Sequence, residues 1–188
     1  MSDVACVAIG NGGFVSVMFS VCHYHALSDQ IYDYLQKQQF YNIKYIATGP
    51  SWRNHYDSRE QYYVCKTNGK SEWAGPKSFV DEIDENSYKG VEFVAFGEWG
   101  TWCVIYMDGS GQWEGIVGKR LVSILRGHVI HNLHLGSDGA YFASFGINQM
   151  SHKGMPSGVV KYLSNARKSV KQVLINEENG NFFVRYNE

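Results

Sequence analysis

The chain has 188 residues, 44% of them apolar, 15% aromatic and 19% charged, enough apolar surface to bury a core, which excludes a disordered tail or linker. Seventeen Lys and Arg stand against eighteen Asp and Glu, a formal net charge of −1, so no overall field attracts a phosphate backbone or an anionic membrane surface, and neither nucleic acid nor membrane is an expected partner. No apolar run approaches the roughly 18 residues of a membrane-crossing helix, and Met1-Ser2-Asp3-Val4 lacks the basic region of a secretory signal.

At this length the expectation is a single domain over 1–188. Four cysteines, Cys6, Cys22, Cys65 and Cys103, lie in or beside strand-like apolar runs, where cysteine behaves as a small buried hydrophobe; free thiols and a cytoplasmic location are expected.

Along the chain, residues 4–9 and 14–19 are rich in Val, Ile and Phe and flank the turn Gly10-Asn11-Gly12-Gly13, a β-hairpin signal. His23 follows, and then helical spacing over 27–38, with Ile31, Tyr34 and Leu35 on one face behind an N-cap at Ser28-Asp29. A second unit carries Tyr62-Tyr63-Val64-Cys65 ahead of Trp73 and a helix over 76–85. About eight extra residues near Trp52 to Arg59 fall in a hairpin loop, the kind of tip that tolerates insertion.

A third unit places Trp102-Cys103-Val104-Ile105 in the same register before Trp113, followed by a helix over 118–125. Residues 136–152 then overlay 97–113: Gly139 falls on Gly100, Tyr141 on Trp102, Phe142 on Cys103, Phe145 on Tyr106 and His152 on Trp113, with a helix over 156–168 to follow. Pro76 and Pro156 suit a first helical turn, where a missing N–H is harmless. Residues 170–175 and 182–186, around Asn179-Gly180, give a last hairpin that stops before the Trp position.

This self-similarity predicts an α+β chain of about four and a half tandem repeats of roughly 40 residues, each a β-hairpin followed by a Trp/His position and a short helix. The units are about 4–39, 40–87, 88–128, 129–169 and 170–188. In the second strands, Trp102, Val104 and Tyr106 share one face and Cys103 and Ile105 the other, so both faces are apolar. Partial cover on both predicts one pseudo-symmetric ring- or barrel-like domain. Propeller repeats have a similar period of about 40 to 45 residues, but their Gly-His and Trp-Asp signature is missing and the segment after the Trp is helical where a blade needs its outer strand. The stretch 108–113 is loosely similar to the Gly- and aromatic-rich hairpins of some lectins, a likeness too generic to transfer a sugar site.

Trp73, Trp113, His23 and His152 occupy equivalent positions. The two tryptophans are expected to pack each helix onto its hairpin, whereas His adds a donor, an acceptor and a titration near neutrality. The 50–60 insertion is rich in residues favoured at interfaces. The candidate ligand-binding residues are therefore His23, His25, Trp52, Arg53, His55, Tyr56, Trp99 and His152.

His128, His131 and His134 do not make a metal site, since 130–135 is a strand on which His131 and His134 face opposite sides and no cysteine follows at useful spacing. Cys22-His23-Tyr24-His25 juxtaposes a thiol with imidazoles, but neighbours on an extended chain point apart, so no nucleophile–base pair forms within it. Gly10 to Gly13 is a turn and not a phosphate cradle, and Asp108-Gly109 and Asp138-Gly139 are turns without the further carboxylates of a calcium loop.

No metal or cofactor is expected. The expected function is a non-enzymatic ligand-binding module for a small molecule or carbohydrate; the alternatives are a protein–protein scaffold or self-assembling subunit, and an unusual enzyme using Cys22 and His residues.

Overall fold

The computed structural model describes residues 4–10, 13–18, 21–25, 37, 43–49, 52–54, 57–59, 61–116, 118–146, 149–165, 170–175 and 182–186. β1 (Val4–Gly10), β2 (Gly13–Met18) and β3 (Val21–His25) form a first antiparallel sheet. β4 (Ile43–Thr48) opens the second, and β5 (Trp52–Asn54) and β6 (Asp57–Arg59) then pair with each other before β7 (Tyr62–Lys66) and β8 (Ser71–Ala74) complete it. The third sheet is β9 (Val91–Phe96), β10 (Trp102–Tyr106) and β11 (Gly111–Glu114), and the fourth is β12 (Ile130–Leu135), β13 (Tyr141–Phe145) and β14 (Gln149–Lys153). β15 (Val170–Ile175) and β16 (Phe182–Tyr186) form the last. Helices α1 (Lys77–Asn86), α2 (Lys119–Gly127) and α3 (Ser157–Asn165) follow the second, third and fourth sheets. The helix expected over 27–38 lies outside the described residues except for Lys37.

Two expectations are corrected. The first four sheets are three-stranded meanders and not hairpins: the Trp/His position lies inside a third strand, where Trp73 pairs with Tyr63, Trp113 with Cys103, His152 with Phe142 and His23 with Ser16. These strands have four or five residues and largely exposed alternate positions, too short for periodicity to reveal. Among the described residues no closed ring or barrel is formed either. Strand pairing ends at the edges of separate sheets of two or three strands, and the apolar faces of β10 and β13 are covered by α1, α2 and α3. The first strands nevertheless lie side by side, β4 with β1 and β9, and β12 with β9 and β15, while β15 also approaches β1. They share no hydrogen-bonded ladder.

Alternation along β10 shows how the helices are used. Trp102, Val104 and Tyr106 pack with Phe79 and Ile83 of the preceding α1, whereas Cys103 and Ile105 pack with Leu121, Ile124 and Leu125 of the following α2. α2 in turn meets Tyr141, Ala143 and Phe145 of β13, and Phe142 on the other face of β13 meets Val159 and Leu163 of α3. Every residue of β10 and β13 is buried, more completely than partial cover would give. Each fully buried Val, Leu, Ile or Phe side chain contributes roughly 1.5–3 kcal/mol. Polar ends are satisfied across the same contact: Trp102 Nε1–H donates to Ser78 Oγ (3.1 Å), and Tyr106 O–H donates to Glu82 Oε1 (2.7 Å), one helical turn further on.

The helices begin as the sequence indicates. Pro76 sits just before α1 (φ −53°, ψ 147°), and its carbonyl accepts from Phe79 N–H and Val80 N–H at 3.0 and 3.1 Å. Gly118 and Pro156 offer their carbonyls to Val122 and Val160 in the same way.

Each first strand also carries a bulge at its second residue, skipping Ala5, Lys44, Glu92, His131 and Lys171 in the pairing. The side chains of Lys44, Glu92 and His131 are exposed. A bulge adds local twist, so the strand entering each sheet is re-aimed at the same point. Among the described residues no helix is long and apolar enough to cross a membrane, a finding about helices and not about strands.

Candidate binding site

In the third and fourth sheets the first strand passes to the second through a three-residue 3-10 turn, Glu98–Gly100 and Ser137–Gly139. Each turn is closed by a glycine N–H: Gly97 donates to Thr101 O (2.8 Å) and Gly136 to Ala140 O (2.9 Å). The middle residue is left-handed in both, Trp99 at φ 57° and Asp138 at φ 52°.

Asp tolerates that region because its short polar side chain bonds locally, whereas for a bulky residue it is an outlier worth about 1–3 kcal/mol of strain. Burial does not offset the strain at Trp99, whose side chain is 82% exposed.

The second sheet has the same closure, Gly49 N–H donating to Gln61 O at 2.9 Å, but residues 50–60 stand where three residues suffice elsewhere. This insertion folds on itself, Trp52 pairing with Arg59 and Asn54 with Asp57, and β5 lies against the Glu98–Gly100 turn. Gln61, 1% exposed, donates from Nε2 to Gly97 O (3.3 Å), and Glu98 Oε2 accepts from Asp138 N–H (3.3 Å). Three successive connections are thereby tied into one surface that carries an indole face, two carboxylates and the inserted strand.

Of the sequence-predicted residues, Trp52 and Arg53 are on β5, the strand that lies against the Glu98–Gly100 turn carrying Trp99. His55 and Tyr56 lie outside the described residues. His23 and His25 are on β3 in the first sheet and His152 is exposed on β14 in the fourth, so these histidines sit on third strands and not on the strand connections. Cys22 and His23 are consecutive on β3, opposite Val17 and Ser16, and His152 is on a different sheet.

Trp73 and Trp113 are half-buried against the core, Trp73 stacked on Tyr63 with ring centres 6.4 Å apart. The other histidines stay dispersed, His128 tilted over Phe145 (4.8 Å) and His131 Nε2 in a hydrogen bond with Gly146 O (2.9 Å). Among the described residues no group of three or more His, Cys, Asp or Glu is placed to hold a metal.

The Asp108 turn is a plain connection: its Oδ1 accepts from Ser110 N–H (2.8 Å) and Oγ–H (2.5 Å), which holds the carboxyl below the usual carboxylate range. Asn68 caps Lys70 N–H in the same way (3.0 Å).

Sequence reasoning missed Glu98, Asp138 and Gln61. A signal for the turn was present, since Trp99 falls on Asp138 when 97–113 is laid over 136–152, and a Trp standing where an Asp-Gly turn is expected marks a departure from turn chemistry. Compared with models of protein families, with curated proteins and with solved structures, the chain matches none.

Proposed function

We propose that the chain is a non-enzymatic binding module: a single domain over 1–188, of small antiparallel sheets and short helices, that presents Trp99 and the inserted hairpin to a carbohydrate or another small molecule with a flat apolar face. The carrying observation is Trp99 itself, an exposed aromatic held at positive φ. A turn needs no Trp there, as Asp138 demonstrates, so retention of a strained, solvent-facing indole is accounted for by what it contacts.

An aromatic platform gives a sugar ring apolar stacking, and Glu98 and Asp138 offer carboxylate oxygens to its hydroxyls. The free Cys65 and Cys103 thiols support a cytoplasmic location for this lectin-like module.

The test is isothermal titration of the protein with a panel of mono- and oligosaccharides and planar small molecules, alongside Trp99→Ala. Saturable binding to a panel member that is lost in the variant supports the proposal. Absence of binding across the panel, or binding undiminished in Trp99→Ala, refutes it.

A further inference from the structure

The second strand of each of the first four sheets is paired on both sides: β2, β7, β10 and β13 hold a first strand on one edge and β3, β8, β11 or β14 on the other. β16 pairs with β15, and among the described residues no strand lies on its second edge. Exposure differs as well. Phe182 faces Ile175 across its ladder as Trp102 faces Phe96 and Tyr141 faces Leu135, yet Phe182 is 38% exposed where Trp102 and Tyr141 are 2% and 3%.

The Phe182 ring meets Tyr162 of α3 edge-on at 5.6 Å, and Tyr162 is itself half exposed. An edge that no strand fills among the described residues, beside exposed aromatics and with neither proline nor bulge within β16 to blunt it, is a template for strand addition.

We propose that this edge pairs antiparallel with β16 of a second copy of the chain, filling the place that a third strand fills in the other sheets. Antiparallel order is the order of all four filled edges, and a two-fold axis through an antiparallel pair needs a self-complementary strand. Phe182-Phe183-Val184-Arg185-Tyr186 meets that need. With Val184 on the axis, Phe182 falls opposite Tyr186 and Phe183 opposite Arg185, so aromatic positions match and the one charge never faces its own copy. A net charge of −1 per chain leaves little repulsion between copies. Five residues per strand make a small interface, so the dimer is weak and concentration-dependent.

The experiment is sedimentation equilibrium of the full chain over a wide concentration range, with Phe183→Arg and Phe183→Glu. Both substitutions put one charge at the same half-buried position and perturb folding alike. The first sets two guanidinium groups opposite each other twice in the dimer, the second sets a carboxylate opposite Arg185 twice. The expected result is a wild-type dimer that persists in Phe183→Glu and weakens in Phe183→Arg, the two variants differing roughly tenfold or more in dissociation constant. A monomer at every concentration, a dimer indifferent to both substitutions, or equal weakening by both overturns the proposal.

Discussion

Replacing Trp99 by Asn separates a recognition residue from a packing residue by the sign of its effect on stability. Less than a fifth of the Trp99 side chain is covered. A fully buried aromatic removes about 150–250 Å² from water, so the covered part is at most about 45 Å², worth roughly 1 kcal/mol at 25 cal/mol per Å² and less against a compact unfolded chain. Against that loss stands relief of about 1–2 kcal/mol when a residue that tolerates the left-handed region replaces one that does not. The expected net change is between zero and about 1 kcal/mol of stabilisation, a rise of up to about 3 °C in Tm for a domain of this size.

Trp102→Ala, at a side chain 2% exposed and bonded to Ser78, sets the opposite scale, a loss of about 3–5 kcal/mol. Thermal unfolding by circular dichroism measures both. A fall of more than about 3 °C in Trp99→Asn would refute the reasoning, because it would mean that the indole contributes to the core.

Replacing residues 50–60 by Ser-Asp-Gly, the turn found at 137–139, keeps the Gly49–Gln61 closure; stability measured by urea denaturation should hold or rise by about 1 kcal/mol, and ligand binding should disappear. Gly115→Ala and Gly154→Ala should each lose about 1–3 kcal/mol in the same assay. Both glycines have positive φ, and an added Cβ would lie 2.6 Å from Thr101 Oγ1 in the first and 2.9 Å from Ala140 Cβ in the second.

Stability should also fall in alkali. Burial pushes the Cys103 thiol and the Tyr63 and Tyr106 hydroxyls above their ordinary values, Glu82 adding to the effect at Tyr106. The unfolded chain therefore releases these protons first, and the stability they contribute is complete below about pH 8.5 and declines above it, by at most about 1.4 kcal/mol per pH unit for each group. Urea midpoints measured near pH 8 and pH 10.5 check this, and a midpoint that does not fall contradicts it.

Legibility in the sequence followed the strength of local patterns. α1, α2 and α3 are readable because Phe79 and Ile83, or Leu121, Ile124 and Leu125, recur at helical spacing behind a Pro or Gly. β10 and β13 are readable as strands because their apolar runs are bounded by glycine turns. The third strands were not, because Gly111–Glu114 and Ser71–Ala74 alternate over only four residues, and the Trp in each looks like an isolated anchor.

The expected ring failed for a physical reason as well. Apolar residues on both faces of β10 reveal that both are covered, not whether the cover is another strand or a helix, and Phe79 and Leu121 belong to helices. At the candidate site, the length of the 50–60 insertion was legible from the repeat spacing. Its contact with the Trp99 turn was not, since it depends on how the second and third sheets stack. The bulges at Lys44, Glu92 and His131 left no local signature in residue type, and they emerge only from the pairing register.

The central claim is that ligand meets the molecule at the Trp99 turn and the inserted hairpin. Five tryptophans give five indole N–H resonances, assignable by single Trp→Phe substitutions. In a titration with a panel ligand, the account predicts that the Trp99 and Trp52 resonances move saturably while that of Trp102, buried and bonded to Ser78, stays in place. Movement confined to Trp73, Trp102 or Trp113, with Trp99 and Trp52 unmoved at saturation, would contradict it.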